Sequence, residues 1–167
     1  MPGIGNDWCI QFNDASLASL SGGSARAAFC NNGAASQVWA FRSLYVTLAG
    51  AGSISLRVGH NASCVAGGSG VLKTPINTNV GANSLAFTTY GKCYYGASLA
   101  ASGLSMSQCT TLDRVRLENA GGIEFADRGD IRLWPGHALI VRGTPAAQGN
   151  VTVSARIRIL PLAVANN

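Results

Sequence analysis

The feature that most constrains the fold is the alternation of apolar and polar residues in the stretch NVTVSARIRIL at 150–160. A repeat of two residues places successive side chains on opposite faces, which is the geometry of a β-strand. One face would carry Val151, Val153, Ala155, Ile157 and Ile159, and the other Thr152, Ser154, Arg156 and Arg158. The pattern therefore predicts a strand with one face in a core and the other outside it.

The same alternation recurs in FRSLYVTL at 41–48 and in SISLRV at 53–58. The intervening AGAGS is rich in glycine and predicts a hairpin loop between these two strands. Helix signals are limited to NDASLASL at 13–20, where Asn13 or Asp14 could cap one or two turns. Further strands are predicted at GVLKTPI, SLAFTTYGKCYYG, LDRVRLEN, GGIEFAD, DIRLWP and HALIVRG. About nine short strands with turn signals between them predict one all-β domain, either a sandwich or a barrel.

The surface is predicted to be neutral, since only 11% of the 167 residues are charged, against about 25% in typical soluble domains. Because an isolated domain normally needs surface charge for solubility, a neutral exterior favours a protein that other subunits cover. The net charge is +5, but the basic residues form nothing longer than the spaced pairs Arg114/Arg116 and Arg156/Arg158. A clustered basic face is therefore not expected, and nucleic acid is an unlikely partner.

No apolar run reaches the roughly 18 residues needed to cross a bilayer, so we expect no membrane association. The opening MPGIGNDWCIQF lacks the pattern of a signal peptide, which predicts synthesis in the cytoplasm. Five cysteines occur without C-x-x-C spacing, namely Cys9, Cys30, Cys64, Cys93 and Cys109. Buried free thiols are expected, and a bridge between Cys93 and Cys109 is the alternative.

The stretch DIRLWPGHALIVRG at 130–143 raises the question of whether His137 is a reactive group. Pro135 followed by Gly136 is typical of a type II turn, with Gly136 supplying the positive φ. A catalytic histidine needs partners, and the other histidine, His60, lies in the similarly turn-like VGHNAS. We therefore interpret His137 as the residue that leaves a turn between two strands.

Other motifs do not assemble a catalytic site. GLSMS and GGSG do not match a nucleophile elbow, and GGSGVLKT lacks the spacing of a phosphate loop. Acidic residues at Glu118, Glu124, Asp127 and Asp130 could serve acid–base chemistry or bind calcium, but Asp127 and Asp130 bracket Arg128-Gly129, which predicts a hairpin loop. Arg128-Gly129-Asp130 matches an integrin-recognition tripeptide, as short motifs often do by chance. We expect no enzyme, no cofactor and no metal.

The first twelve residues are apolar and precede the first predicted strand, so we interpret 1–12 as an N-terminal arm and 13–167 as the sandwich domain. Fully extended, the arm could reach about 40 Å. Its Trp8, Ile10 and Phe12 are candidate partner-binding residues, because large apolar side chains often make contacts between subunits. Arg156 and Arg158, on the polar face of the last strand, are further candidates.

The ending GDIRLWPGHALIVRGTPAAQGNVTVSARIRIL resembles the closing strands of jelly-roll head decoration, or cement, proteins of tailed bacteriophages. The resemblance is carried by two aliphatic strands about the Pro135-Gly136 turn, a small-residue loop at 143–149 and the alternating strand at 151–160. It covers about the last fifth of the chain. Tail-fibre heads and trimeric ligand-type jelly rolls share this style of sequence.

The resemblance implies an antiparallel, jelly-roll-like β-sandwich that forms a homotrimer. It implies a non-enzymatic virion protein, made in the host cytoplasm, that binds the major capsid protein or other virion subunits at capsomer junctions and stabilises the shell. The alternative is a receptor- or carbohydrate-binding module of a tail fibre or similar assembly, with Tyr94, Tyr95 or Trp134 as stacking platforms. An enzyme that uses His137 is disfavoured, because no set of nucleophile, base and orienting group is visible.

Overall fold

A computed structural model describes residues 7–12, 25–31, 37–61, 71–78, 87, 90–97, 108–147 and 149–162. This part of the chain is almost entirely β-structure, which confirms the predicted all-β class. The strands are β1 (Asp7–Phe12), β2 (Ala25–Asn31), β3 (Gln37–Leu48), β4 (Gly52–His60), β5 (Val71–Lys73), β6 (Ile76–Asn77), β7 (Lys92–Ala97), β8 (Thr110–Leu117), β9 (Gly121–Leu133), β10 (His137–Pro145) and β11 (Val151–Pro161). The helix predicted at 13–20 lies outside the described residues.

The strands form two antiparallel sheets that pack as a sandwich. The first sheet has five strands in the order β6-β1-β11-β3-β9, and the second has six in the order β5-β7-β2-β10-β4-β8. Side chains from the inner faces of both sheets make the main core, whose largest fully buried members include Trp39, Phe12, Phe29, Phe41 and Phe87. The expected sandwich is therefore confirmed.

The alternation in the sequence describes the two faces of the central strands correctly. In β11 the five alternating apolar residues from Val151 to Ile159 are buried, and the polar residues between them are partly or fully exposed. Strand β10 differs, because Ala138 and Ile140 on its outer face are also buried, in a second small cluster with Ala28 and Cys30. The continuous apolar run of β10 thus reflects burial on both faces.

The AGAGS segment is not a hairpin loop, which corrects the prediction. Strand β3 belongs to the first sheet and β4 to the second, so this connection crosses from one layer of the sandwich to the other. Its backbone instead bonds to the connection between β10 and β11, where Ala49 N donates to Asn150 O and Ala146 N donates to Ala51 O. Glycine content indicates a tight turn, but it does not determine which sheet the next strand joins.

The hairpin loop predicted around Asp127 and Asp130 is also wrong, because β9 continues through it as one strand. Ile131 pairs with Phe41 and Asp127 pairs with Ser43, so residues 128–130 form an irregularity opposite one residue of β3. Strand β9 lies at the edge of its sheet, where an irregular register is tolerated because only one neighbour is present. The side chains of 126–130, including the Arg128-Gly129-Asp130 tripeptide, lie outside the described part of the structure.

The Pro135-Gly136 turn is confirmed, and it connects β9 in the first sheet to β10 in the second. Gly136 has a φ of 78° and His137 N donates to Trp134 O at 3.2 Å, as a type II turn requires. Asn31, at the end of β2, holds this turn in place. Its backbone oxygen accepts from Gly136 N at 2.6 Å, and its Nδ2 donates to Leu133 O at 2.8 Å.

Residues 7–12 are not part of a free arm. They form β1, which lies between β6 and β11 and pairs with β11 along its whole length, from Asp7 opposite Arg158 to Phe12 opposite Val153. The predicted boundary at residue 12 therefore falls within the sandwich, while residues 1–6 lie outside the described part. The alternating segment DWCIQF forms a strand of only six residues. Both neighbouring strands, β11 and β6, supply hydrogen-bond partners for its backbone.

Candidate functional site

A groove of about 470 Å³ lies on the outer face of the first sheet, where the segment around β5 and β6 borders β1, β11 and β3. Its walls combine hydroxyl, amide, thiol and basic side chains with a few apolar ones. The lining residues are Cys9, Ile10, Gln11, Ser43, Lys73, Thr74, Ile76, Ser154, Ala155 and Arg156. We call this surface the sheet-one groove. Its lining includes two of the five predicted site residues, the exposed Arg156 and Ile10, which is only 4% exposed.

The polar lining follows from the strand register. Cys9 lies opposite Arg156 and Gln11 lies opposite Ser154, so alternate residues of β1 and β11 point outward together. Arg156 in turn lies opposite Ser43 of β3. The groove is thus a band of outward side chains across three adjacent strands, which the sequence shows only as separate alternating segments.

The groove is rich in hydrogen-bond donors and carries positive charge. Arg156 is exposed, and Lys73 approaches from β5 with its Nζ 5.9 Å from the centre of the Phe12 ring. Hydroxyls from Ser43 and Ser154 and the amide of Gln11 complete a set that suits an oxygen-rich ligand or the backbone of a partner segment. This arrangement can bind and orient such a group.

Arg158, the second predicted basic site residue, is engaged within the fold. Its Nε and Nη2 donate to the two carboxylate oxygens of Asp7 at 2.7 Å each, in a bidentate pair between β11 and β1. The hydrogen bond from Arg158, opposed by burial and aided by its charge, lowers the pKa of Asp7. Arg158 therefore fastens β1 to β11, and it borders the groove without lining it.

Trp8, Ile10 and Phe12 do not form a partner-binding surface, which corrects that prediction. Their exposed fractions are 4%, 4% and 0%, because all three point into the core of their own chain. Trp8 packs edge to face on Phe87 with ring centroids 5.2 Å apart, and Phe12 packs in the same way on Phe29 at 5.8 Å. Side chains that already bury their apolar surface inside the fold have none left for a partner.

The structure brings together the two histidines that the sequence leaves 77 positions apart. His137 lies opposite His60 in the pairing of β10 with β4, and their ring centroids are 4.6 Å apart. Nδ1 of His137 is 3.1 Å from Pro135 O. Within the described residues no group of three or more His, Cys, Asp or Glu side chains could hold a metal ion. The two rings are inclined by 30° and lie at the end of the β10–β4 pairing, next to the type II turn.

Among the described cysteines, Cys109 departs from the expectation of free thiols. Cys9, Cys30 and Cys93 are free, while Cys109 is disulfide-bonded, so a bridge between Cys93 and Cys109 is ruled out. Burial raises the pKa of Cys30 to about 12 and raises that of Cys93 well above its usual value. These two thiols are therefore inert, and Cys9 in the groove is the accessible one among the three.

The aromatic residues proposed as stacking platforms are not gathered on one surface. Tyr95 packs against the main core and Tyr94 packs against the small outer cluster, so these neighbours in β7 point to opposite faces. Trp134 is 39% exposed in the turn after β9. Among these three residues, Trp134 alone presents a large open surface.

The basic residues show what the sequence analysis missed. Arg26, Arg57, Arg114 and Arg142 come from four different strands, yet all lie on the outer face of the second sheet, and we call them the arginine cluster. Of these four arginines, the sequence pattern singles out only Arg114, as part of the spaced pair Arg114/Arg116. The alternating pattern places each arginine on the outward face of its strand. It does not show that the four strands are neighbours, so the cluster could not be predicted from it.

Comparisons of the chain with known protein families, with curated proteins and with solved structures found no match. Among the described residues there is no helix of the length and hydropathy that a transmembrane span requires.

Proposed function

We propose that the protein is a non-enzymatic structural component of a virion, a decoration or cement protein that binds the viral shell at capsomer junctions and stabilises it. The observation that carries the proposal is the strand order. Eight of the strands follow the orders β1-β11-β3-β9 and β2-β10-β4-β8, and this order supports the interpretation of the sandwich as a jelly roll. Viral capsid domains and lectins are prominent users of that architecture.

Two further observations support a virion role. Only 11% of the residues are charged, which suits a protein whose surface is largely covered by other subunits, including copies of itself in a homotrimer. The disulfide at Cys109 suits a protein that functions outside a reducing cytoplasm after synthesis there, because virion surfaces are among the places where disulfides persist.

The mechanism is differential binding. A protein that binds the mature shell more tightly than its precursor shifts the equilibrium towards the mature shell, and the stabilisation rises with the concentration of the free protein. In this proposal the sheet-one groove accepts a segment of the major capsid protein or another virion subunit. Arg156 supplies charge and directional hydrogen bonds to that segment.

Light scattering of the purified full chain, followed by co-sedimentation with capsid-like particles from the same source, tests this function. We expect a trimer that sediments with the particles, and about tenfold weaker attachment for Arg156→Gln, since a hydrogen bond to a charged group contributes about 1.5 kcal/mol or more. Arg116→Gln is the matched control, because it removes the same charge from the other sheet. A monomer that ignores the particles would refute the proposal.

A receptor- or carbohydrate-binding module is the second candidate, and the sheet-one groove favours it because its donors also match the hydroxyls of a sugar. A glycan array probed with the full chain distinguishes the two. Binding to a defined glycan that Arg156→Gln abolishes, together with no attachment to particles, would assign the groove to carbohydrate recognition.

A further inference from the structure

The strand register concentrates arginines on the outer face of the second sheet. Arg26 of β2 lies directly opposite Arg142 of β10. Arg142 lies opposite Ser55 of β4 on its other side, and Ser55 lies opposite Arg114 of β8. Arg57 is two residues beyond Ser55 in the same strand, so it points to the same face. Because neighbouring strands are about 4.8 Å apart, the row from Arg26 to Arg114 spans only about 14 Å of sheet.

A concavity of about 250 Å³ lies within this row of side chains. Three of its lining residues are arginines, namely Arg57, Arg114 and Arg142. The other four carry hydroxyl groups, namely Ser53, Ser55, Thr111 and Thr144. Every lining side chain can donate a hydrogen bond. Guanidinium groups surrounded by hydroxyls are a donor set that matches tetrahedral oxyanions.

The arrangement places like charges where they repel. Burial, together with the charges of Arg142 and Arg57, lowers the pKa of Arg26. Burial, together with the charges of Arg57 and Arg114, lowers the pKa of Arg142. Like charges directly opposite each other on neighbouring strands normally destabilise a sheet. A bound anion would add attractive interactions that offset this repulsion.

A donor of Arg57, which lines the concavity, is buried without a hydrogen bond. Within the described part of the chain, Nε of Arg57 is shielded from solvent and has no hydrogen-bond acceptor. A buried donor left in this way costs about 1–3 kcal/mol. An acceptor that enters the concavity beside Arg57 would remove that cost.

The acidic side chains that the structure describes do not neutralise the concavity. Asp7 and Glu124 belong to the first sheet, and Asp113 lies opposite the core residue Leu56. Glu118 contacts Arg116, with 3.1 Å between its Oε1 and the arginine Nε, and both side chains are more than three-quarters exposed. Among the described residues, the lining of the concavity consists of arginines and hydroxyl residues, without a carboxylate.

We propose that the arginine cluster is a binding site for a phosphate or sulfate group, either free or carried by a larger molecule. Arg142 and Arg57 hold the oxyanion from neighbouring strands, while the surrounding hydroxyls donate further hydrogen bonds to it. The site lies on the sheet opposite the sheet-one groove, so it does not depend on the proposed virion function.

Thermal unfolding of the full chain in inorganic phosphate, inorganic sulfate and sodium chloride of matched ionic strength tests the site. At roughly ten times the dissociation constant, phosphate or sulfate should raise the melting temperature by about 3–5 °C more than chloride does. Equal stabilisation by all three salts would show general screening of surface charge and would overturn the proposal.

Substitutions locate the effect. Arg142→Gln and Arg57→Gln should each abolish the specific shift, whereas Arg156→Gln on the other sheet should retain it in full. Circular dichroism checks that each variant is folded. A specific shift that survives in the doubly substituted protein would overturn the assignment to this cluster.

A measurement on the unsubstituted protein covers the case in which those variants fail to fold. Arginine modification by phenylglyoxal, mapped by mass spectrometry, should slow at least threefold at Arg57 and Arg114 in phosphate relative to chloride, while Arg156 is unaffected. Uniform or absent protection would overturn the proposal. Comparing inorganic sulfate with a monosaccharide sulfate then distinguishes the sources, since tighter binding of the latter means that the concavity also contacts the attached group.

Discussion

Phe12 packs edge to face against Phe29, with ring centroids 5.8 Å apart and ring planes at 74°. The two residues belong to β1 and β2, which lie in different sheets, so the contact joins the two layers of the sandwich. Phe29 continues the series with Phe41 at 5.1 Å. Residues 7–12, interpreted from sequence as part of an arm, therefore form a strand of the sandwich whose Phe12 lies in the central core.

This packing predicts a large loss of stability for Phe12→Ala. Truncating a fully buried phenylalanine removes its apolar contacts and leaves a cavity, which costs about 3–5 kcal/mol. Gln11→Ala, an exposed position in the same strand, should change stability by less than about 0.5 kcal/mol. Denaturant unfolding compares them. A Phe12→Ala protein as stable as the control but unable to attach to particles would restore the interpretation as an arm.

Asn31 is predicted to be essential for the junction between the sheets. Its buried Nδ2 donates to Leu133 O at 2.8 Å and to Gln37 O at 3.1 Å, which tie the end of β2 to the first sheet. Asn31→Ala leaves both carbonyls without this donor, so we expect a loss of about 1–3 kcal/mol in the free energy of unfolding. Asn119→Ala, in an exposed turn, is the control, and equal effects at the two positions would contradict the role.

The pair of Asp7 and Arg158 predicts a pH-dependent contribution to stability. Since Arg158 lowers the pKa of Asp7 below 3.8 in the folded protein, the pair stabilises the fold at neutral pH. This stabilisation is lost as the pH falls through the lowered pKa. Both side chains are 43% exposed, so the contribution should be only about 0.5–1 kcal/mol.

A double-mutant cycle measures this pair. Asp7→Asn and Arg158→Gln should each destabilise the protein at pH 7, and the double variant should cost less than the sum of the two. The coupling should weaken as the pH falls through the lowered pKa of Asp7, because the carboxyl group then becomes neutral in the folded protein as well. Strict additivity at pH 7 would show that the two residues do not cooperate.

The thiols are predicted to react at very different rates. Cys9 is partly exposed in the sheet-one groove, whereas burial raises the pKa of Cys30 to about 12 and raises the pKa of Cys93 well above its usual value. Ellman's reagent should therefore modify Cys9 rapidly in the native protein and the other two only on unfolding. Reduction should release two further thiols, Cys109 and the sulfur bonded to it. Rapid reaction of Cys93 in the native protein would contradict the buried core described here.

The β-structure, the Pro135-Gly136 turn and the buried faces of strands such as β11 could be predicted from the sequence. These features depend on a repeat of two residues or on one or two backbone conformations, and such information is local. For the same reason β2 escaped prediction, since the apolar run in ARAAFCN does not alternate and is buried partly on both faces.

Which strands are neighbours could not be predicted, because strand pairing depends on contacts between residues far apart in the sequence. The connection after Leu48 crosses between the sheets, although its sequence is equally compatible with a hairpin, because turn residues set local geometry and the partner strand is chosen by packing. That choice buried Trp8 and Phe12, brought His60 against His137 and assembled the arginine cluster from Arg26, Arg57, Arg114 and Arg142. Residues far apart in the sequence form one surface because the register of strand pairing aligns them side by side. That register depends on long-range contacts between strands.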